Sequence, residues 1–189
     1  MTMVAGLLLA AGEGSRLGQP KALVRVGGVS LADRGVALLR DGGCDPVTVV
    51  LGAATTDVRD ASVVHNPHWS SGMGSSLRAG LAALPERTPA VVVALVDQPG
   101  IGAEVVRRLL RAYESGAEVA VASYDGAPRN PVLFARRHWD AVAAVAVGDV
   151  GARPFLRAHP ELVTRVECGD IAEPTDMDTP ADLARWVEE

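Results

Sequence analysis

The sequence predicts a three-layer α/β fold, in which a mostly parallel central sheet with one antiparallel strand carries helices on both faces. Two observations carry this reading. Short runs of valine, alanine and leucine, free of charged residues, recur along the 189-residue chain with the character of strands buried on both faces. Between them lie amphipathic or alanine-rich stretches of helical length and spacing.

Residues 4–10 form the first such strand. A helix over 31–40 follows, and Asp41-Gly42-Gly43 stops it where a left-handed cap is needed. The second strand is 47–51, the second helix 75–84, the third strand 90–95 and the third helix 103–113, which Ser115-Gly116 ends before a strand at 119–122. The order changes after Gly126. Ala127-Pro128-Arg129-Asn130-Pro131 reads as an extended loop, because its two prolines exclude a helix, and it leads into a short antiparallel strand at 132–135. A helix over 139–147 comes next. The chain closes with Asp176-Met177-Asp178-Thr179-Pro180 and a helix over 181–187, with Thr179 as its N-cap and Pro180 in its first turn. Without a repeat or a linker, residues 1–189 are expected to form one domain.

Composition narrows the function classes. A formal net charge of -5 leaves no basic field for a nucleic acid or an anionic membrane surface. No apolar run reaches the roughly 20 residues that span a bilayer, and the start of the chain lacks the basic leader of a signal peptide. Cys44 and Cys168 lie far apart with no CxxC pattern, which fits a reduced, cytoplasmic protein. The expected partners are small molecules or proteins.

Three constellations carry chemistry. The first strand opens into Leu9-Ala10-Ala11-Gly12-Glu13-Gly14-Ser15-Arg16-Leu17-Gly18-Gln19-Pro20-Lys21, where glycines let backbone N–H groups approach phosphate oxygens and Arg16 and Lys21 supply charge. The glycine spacing matches neither a dinucleotide fingerprint nor a P-loop. Lys21 is the single lysine among 18 basic residues, and a compact ammonium suits a phosphate oxygen better than a planar guanidinium does. Next, Asp97-Gln98-Pro99 places a carboxylate at the end of an apolar strand, the edge where ligands bind in open α/β sheets, so Asp97 is the first candidate Mg²⁺ ligand. Finally, Asp176 and Asp178 alternate on an extended segment that could bring a second carboxylate to the same ion, Asp178 being favoured over Asp176. The bland readings are a solvated glycine turn, a turn aspartate before Pro99, and a helix start at Asp178-Thr179-Pro180.

Together these constellations resemble the nucleotide-diphosphosugar-transferase-like superfamily, most closely its MobA-like branch of molybdenum cofactor cytidylyltransferases. The resemblance also rests on Gly72-Met73-Gly74-Ser75-Ser76-Leu77, on Arg129-Asn130-Pro131-Val132-Leu133-Phe134, and on Gly148-Asp149-Val150-Gly151-Ala152-Arg153. It implies a Rossmann-like domain that transfers a nucleoside monophosphate from a triphosphate to a phosphorylated pterin-type acceptor with Mg²⁺. Leu9, Ala10, Ala11, Gly12 and Gly14 would then hold base and triphosphate, Arg16 and Lys21 the phosphates, and Asp97 with Asp178 the metal. Gly74 and Ser75 would lie near base and ribose. Arg129, Asn130, Pro131, Asp149 and Arg153 would face the acceptor. Alanine at position 11, where guanylyl relatives carry glycine, favours CTP over GTP. A molybdenum hydroxylase or its maturation factor would receive the product.

Three other readings stay open: a guanylyl- or other nucleotidyltransferase with a different acceptor, an NAD(P)H-dependent reductase of a quinone-like pigment, and a non-catalytic molybdenum cofactor carrier. His65, His68, His138 and His159 lack zinc-like spacing, and Ser75 and Ser76 lack a nucleophile elbow.

Overall fold

The computed structural model describes residues 3–187 and holds a seven-stranded sheet. In chain order its members and the small hairpin are β1 (Ala5–Ala10), β2 (Arg25–Val26), β3 (Val29–Ser30), β4 (Val47–Leu51), β5 (Ser62–His65), β6 (Ala90–Leu95), β7 (Val119–Tyr124), β8 (Ala127–Ala135) and β9 (Val163–Glu167). The sheet runs β5-β4-β1-β6-β8-β7-β9, with β8 antiparallel to its neighbours and every other pairing parallel. The helices are α1 (Leu31–Asp41), α2 (Met73–Ala83), α3 (Ala103–Glu114), α4 (Trp139–Val145), α5 (Arg153–Ala158) and α6 (Pro180–Val187).

The expected apolar strands form because each has two faces to bury. Along β1, Leu8 and Ala10 pack with Val36 and Leu39 of α1 and with Val105, Val106 and Leu109 of α3, while Leu7 and Leu9 pack with Leu77 and Leu81 of α2 and Trp139 and Val142 of α4. Two cores on opposite sides of one sheet make the three layers. Gly43 and Gly116, at φ +105° and +104°, end α1 and α3 in the left-handed conformation their positions require. Cys44 and Cys168 are buried and free.

Residues 127–131 are not a loop. They are the first half of β8, pairing with β7 through Pro128 against Ser123. The prolines are tolerated because β6 pairs only with 132–135, so the proline-bearing half has a neighbour on one side and no second ladder to supply. Helix α2 begins two residues before the expected Ser75, and α4 stops two residues before Val147. Strands β5 and β9 occupy the two sheet edges, and their mixed, largely exposed sequences give no buried-run signal.

Candidate active site

The sheet order makes β1 a switch point. From β1 the chain steps to β4 and β5 on one side, then returns to add β6 on the other, so the connections leaving the carboxyl ends of β1 and β6 diverge and open a crevice. The glycine loop leaves β1 at this crevice, and Asp97 leaves β6 there. The ladder continues to its brink, where the Val96 N–H donates to the Leu9 carbonyl at 3.1 Å.

The loop folds back on itself through Gly14, whose carbonyl accepts from the Leu17 and Gly18 N–H groups at 2.9 and 3.0 Å. Gly14 sits at φ +61°, and a Cβ there would lie 2.1 Å from the Gln19 carbonyl oxygen, so the turn demands glycine twice over. This return delivers Lys21 to the carboxyl end of β6. Lys21 Nζ donates to Asp97 Oδ2 and to Asp178 Oδ1, both at 2.5 Å. Arg16 reaches the other oxygen of Asp178 at 3.0 Å from the solvent side.

The closing segment is sewn onto the Asp97-Gln98 turn. The N–H of buried Met177 donates to the Asp97 carbonyl at 2.7 Å, and Gln98 Nε2 donates to Asp176 Oδ1 at 2.8 Å. Asp178 and Thr179 are then fixed by a capping box: Asp182 Oδ2 accepts from both their N–H groups at 3.0 and 2.8 Å, and Thr179 Oγ1 accepts from the Asp182 N–H at 3.2 Å. Thr179 is thus the N-cap of α6. Among the described residues, Gln98 Oε1 is the one buried side-chain polar atom with no hydrogen-bond partner.

The two carboxylates differ in environment. Burial raises the Asp97 carboxyl above the ordinary aspartate range in spite of the attraction of Lys21. For Asp178 the hydrogen bond from Lys21 outweighs burial and, with Arg16, lowers its pKa. Burial by itself would lower the Lys21 ammonium, but the two carboxylates outweigh it and hold the pKa above the usual lysine value.

The remaining expected residues lie around this edge. Leu9, Ala10 and Ala11 are buried, and Gly12 is exposed with open space where a side chain would project. Gly74 and Ser75 lie in the first turn of α2. A Cβ at Gly74 would meet the Ala146 carbonyl oxygen at 2.5 Å, so that glycine is where helix and chain backbone touch. Ser75 is buried, and its hydroxyl accepts from Asn66 Nδ2 at 2.9 Å within a cluster that includes the Ser76 hydroxyl and the His68 carbonyl. Because β8 runs antiparallel, Arg129, Asn130 and Pro131 at its start lie at the same sheet edge as Asp97. Asp149, in the 3-10 turn Gly148–Val150, packs beside Gly72 ahead of α2, and Arg153 begins α5. What sequence reasoning missed was the work of Gln98 and Asp182. The Thr179-x-x-Asp182 spacing signalled the second, while nothing in the sequence showed where the Gln98 amide would point.

No group of three or more His, Cys, Asp or Glu side chains that could hold a metal ion occurs among the described residues. Asp97 and Asp178 form a pair, a set that fits a Mg²⁺ or Mn²⁺ ion completed by phosphate oxygens and water rather than one caged by protein alone.

The MobA-like NTP transferase domain family matches residues 6–163. The nicotine blue oxidoreductase of Paenarthrobacter nicotinovorans is 40% identical over 97% of this chain and 96% of its own length. The molybdenum cofactor guanylyltransferase of Rhodobacter capsulatus is 30% identical over 96% of this chain and 94% of its own. Among solved structures, the manganese complex of Rv0371c from Mycobacterium tuberculosis H37Rv superposes with a TM-score of 0.76 at 26% identity, covering 100% of this chain and 99% of that one.

Proposed function

The chain belongs to the MobA-like NTP transferase family of nucleotidyltransferases, and on that premise we propose that it moves a nucleoside monophosphate, CTP being favoured over GTP as donor, onto a phosphorylated pterin-type acceptor of molybdenum cofactor metabolism. The observation that carries the reading is the convergence of Lys21, Arg16, Asp97 and Asp178 at the switch point of the sheet. Residues 1–189 act as one cytoplasmic domain, and the product passes to a molybdenum hydroxylase or its maturation factor.

An oxygen of the acceptor phosphate attacks the α-phosphorus. The new P–O bond forms as the bond from the α-phosphorus to the bridging oxygen of the β-phosphate breaks, and pyrophosphate leaves with that electron pair. Two anionic groups must meet, so the protein's task is positioning and charge neutralisation. The Leu17 and Gly18 N–H groups close the turn on Gly14, so the backbone N–H groups between Gly12 and Arg16 are the ones that would receive the triphosphate, with Arg16 and Lys21 neutralising it. Asp97 and Asp178 would hold Mg²⁺, whose charge would offset that on the phosphate oxygens. Ser75 supports the turn before α2 from within its hydrogen-bond cluster, while Arg129, Asn130, Pro131, Asp149 and Arg153 line the acceptor side. A panel of triphosphates assayed for pyrophosphate release with and without molybdopterin tests this reading. Release with CTP that depends on the acceptor is expected; none with any triphosphate would sink it.

One observation favours a second reading. The relative that is 40% identical along its length is named a nicotine blue oxidoreductase, which favours the reading in which this chain would instead be an NAD(P)H-dependent reductase of a quinone-like pigment. Consumption of NAD(P)H on such a pigment, with no triphosphate present, decides for it.

A further inference from the structure

Lys21 Nζ is held between two carboxylates, 2.5 Å from one oxygen of Asp97 and 2.5 Å from one oxygen of Asp178. A divalent ion held by this pair would use the same converging oxygens. An ammonium and a metal ion cannot both occupy that space, since their like charges repel at contact distance in a half-buried site. From this juxtaposition we infer that Lys21 keeps the metal position closed until a triphosphate draws it away, so that the divalent cation enters with or after the nucleotide and not before. The inference rests on the nucleotidyl-transfer reading and adds an order of binding to it.

Local charge supports the same order. Asp97 and Asp178 are each paired with a cation, Lys21 reaching both and Arg16 the second, which weakens the pull of these two carboxylates on a free metal ion. Asp176, a third carboxylate nearby, is oriented by the neutral Gln98 amide, which leaves Lys21 as the group that fills the space between Asp97 and Asp178. Arg16 stands outermost, its side chain 67% exposed, and is the first cation an arriving triphosphate meets. The Lys21 backbone is held by the turn it begins, its carbonyl accepting from the Val24 N–H at 3.2 Å, while the four-carbon side chain can swing without moving that turn. A compact ammonium can stand in for an ion at this position.

Because Lys21 is the chain's only lysine, protein labelled with [ε-¹³C]lysine gives one side-chain NMR signal that reports this residue alone. Mn²⁺ added by itself should leave the signal sharp at concentrations that fill an ordinary site. Adding the α,β-methylene analogue of CTP or GTP should shift the signal, and Mn²⁺ should then broaden it. Electron paramagnetic resonance of free Mn²⁺ gives the second measurement: Lys21→Met should bind the ion without nucleotide about tenfold or more tightly than the native chain, and Asp97→Asn in that background should abolish the gain. Broadening by Mn²⁺ alone, or equal affinity in the native chain and Lys21→Met, overturns the inference. Should Lys21→Met fail to fold, the NMR arm on native protein decides the matter alone. Failure of both analogues to bind would strike at the nucleotidyl-transfer reading, whereas the difference in Mn²⁺ affinity would still stand or fall separately.

Discussion

Two carboxylates at the ends of strands show opposite treatment. Glu167, at the end of β9, accepts four hydrogen bonds: the N–H groups of Asp125 and Gly169 at 2.9 Å on one oxygen, the Ser123 hydroxyl at 2.9 Å and the Gly126 N–H at 3.1 Å on the other. Those donors, the Gly169 and Gly126 N–H groups foremost, pull its pKa down to about 2. Asp97, at the end of β6, accepts one side-chain hydrogen bond among the described residues, from Lys21, and burial raises its pKa. A saturated carboxylate is finished as structure; it ties β9 to the β7–β8 turn and has no lone pair to offer. A half-buried carboxylate with one side-chain partner among the described residues, a lysine, has acceptor capacity left over, as the proposed metal role requires.

The largest effects that test this contrast lie at the under-satisfied group. Lys21→Ala and Asp97→Asn should each lower turnover by about 10²–10³, the size seen when one electrostatic stabiliser of a transition state is removed. The fold should persist in both, because β1, β6 and the two cores are untouched. Circular dichroism and acceptor-dependent pyrophosphate release measured side by side check the split; a Lys21→Ala protein that unfolds, or one that turns over normally, would break it.

A middle-sized effect is expected at Gln98. Its amide holds Asp176 and so fixes the segment that presents Asp178, at the expense of a buried, unpartnered Oε1. Gln98→Leu removes the orphaned acceptor, a relief of about 1–3 kcal/mol, and releases Asp176, which faces solvent. Stability should therefore hold or rise slightly while turnover falls by roughly ten- to a hundredfold through misplacement of Asp178. Thermal unfolding and kcat, measured on the same preparation, read the two signs. Loss of stability with turnover intact would assign Gln98 to the core instead.

How much of this was legible beforehand follows from what leaves a local trace. The apolar strands and the capped helices between them were readable because burial on both faces and left-handed caps each impose residue types. The edge strands β5 and β9 were not, since an edge has one neighbour and no need for a continuous apolar run. In the site, the glycine turn, Lys21, Asp97 and Asp178 were each visible singly. Their meeting was anticipated only as an arrangement around an ion, and the direct bonds from Lys21 to both carboxylates have no sequence signature, because 157 positions separate Lys21 from Asp178. The nest around Glu167 was invisible for the same reason: three of its four donors are backbone N–H groups, which every sequence supplies.

The smallest effect on turnover, and the sharpest on pH, belongs to that nest. Glu167 is ionised in the folded chain down to about 2, below its unfolded value of 4.5. A group with a depressed folded pKa contributes its full stabilisation above the unfolded value and loses it as the pH falls through the folded one. The window for Glu167 therefore runs from about 4.5 down to about 2. Glu167→Gln keeps the shape but turns an amide NH₂ toward donors, so at neutral pH the variant should melt below the native chain while turnover changes little, since the nest holds the turn ahead of Arg129 and bonds neither Lys21 nor Asp97. As the pH falls through that window the native chain loses what its charge supplied and the two melting curves should converge. Curves that stay parallel from neutral to acid pH would show that the four hydrogen bonds do not depend on charge, and the contrast with Asp97 would then rest on burial alone.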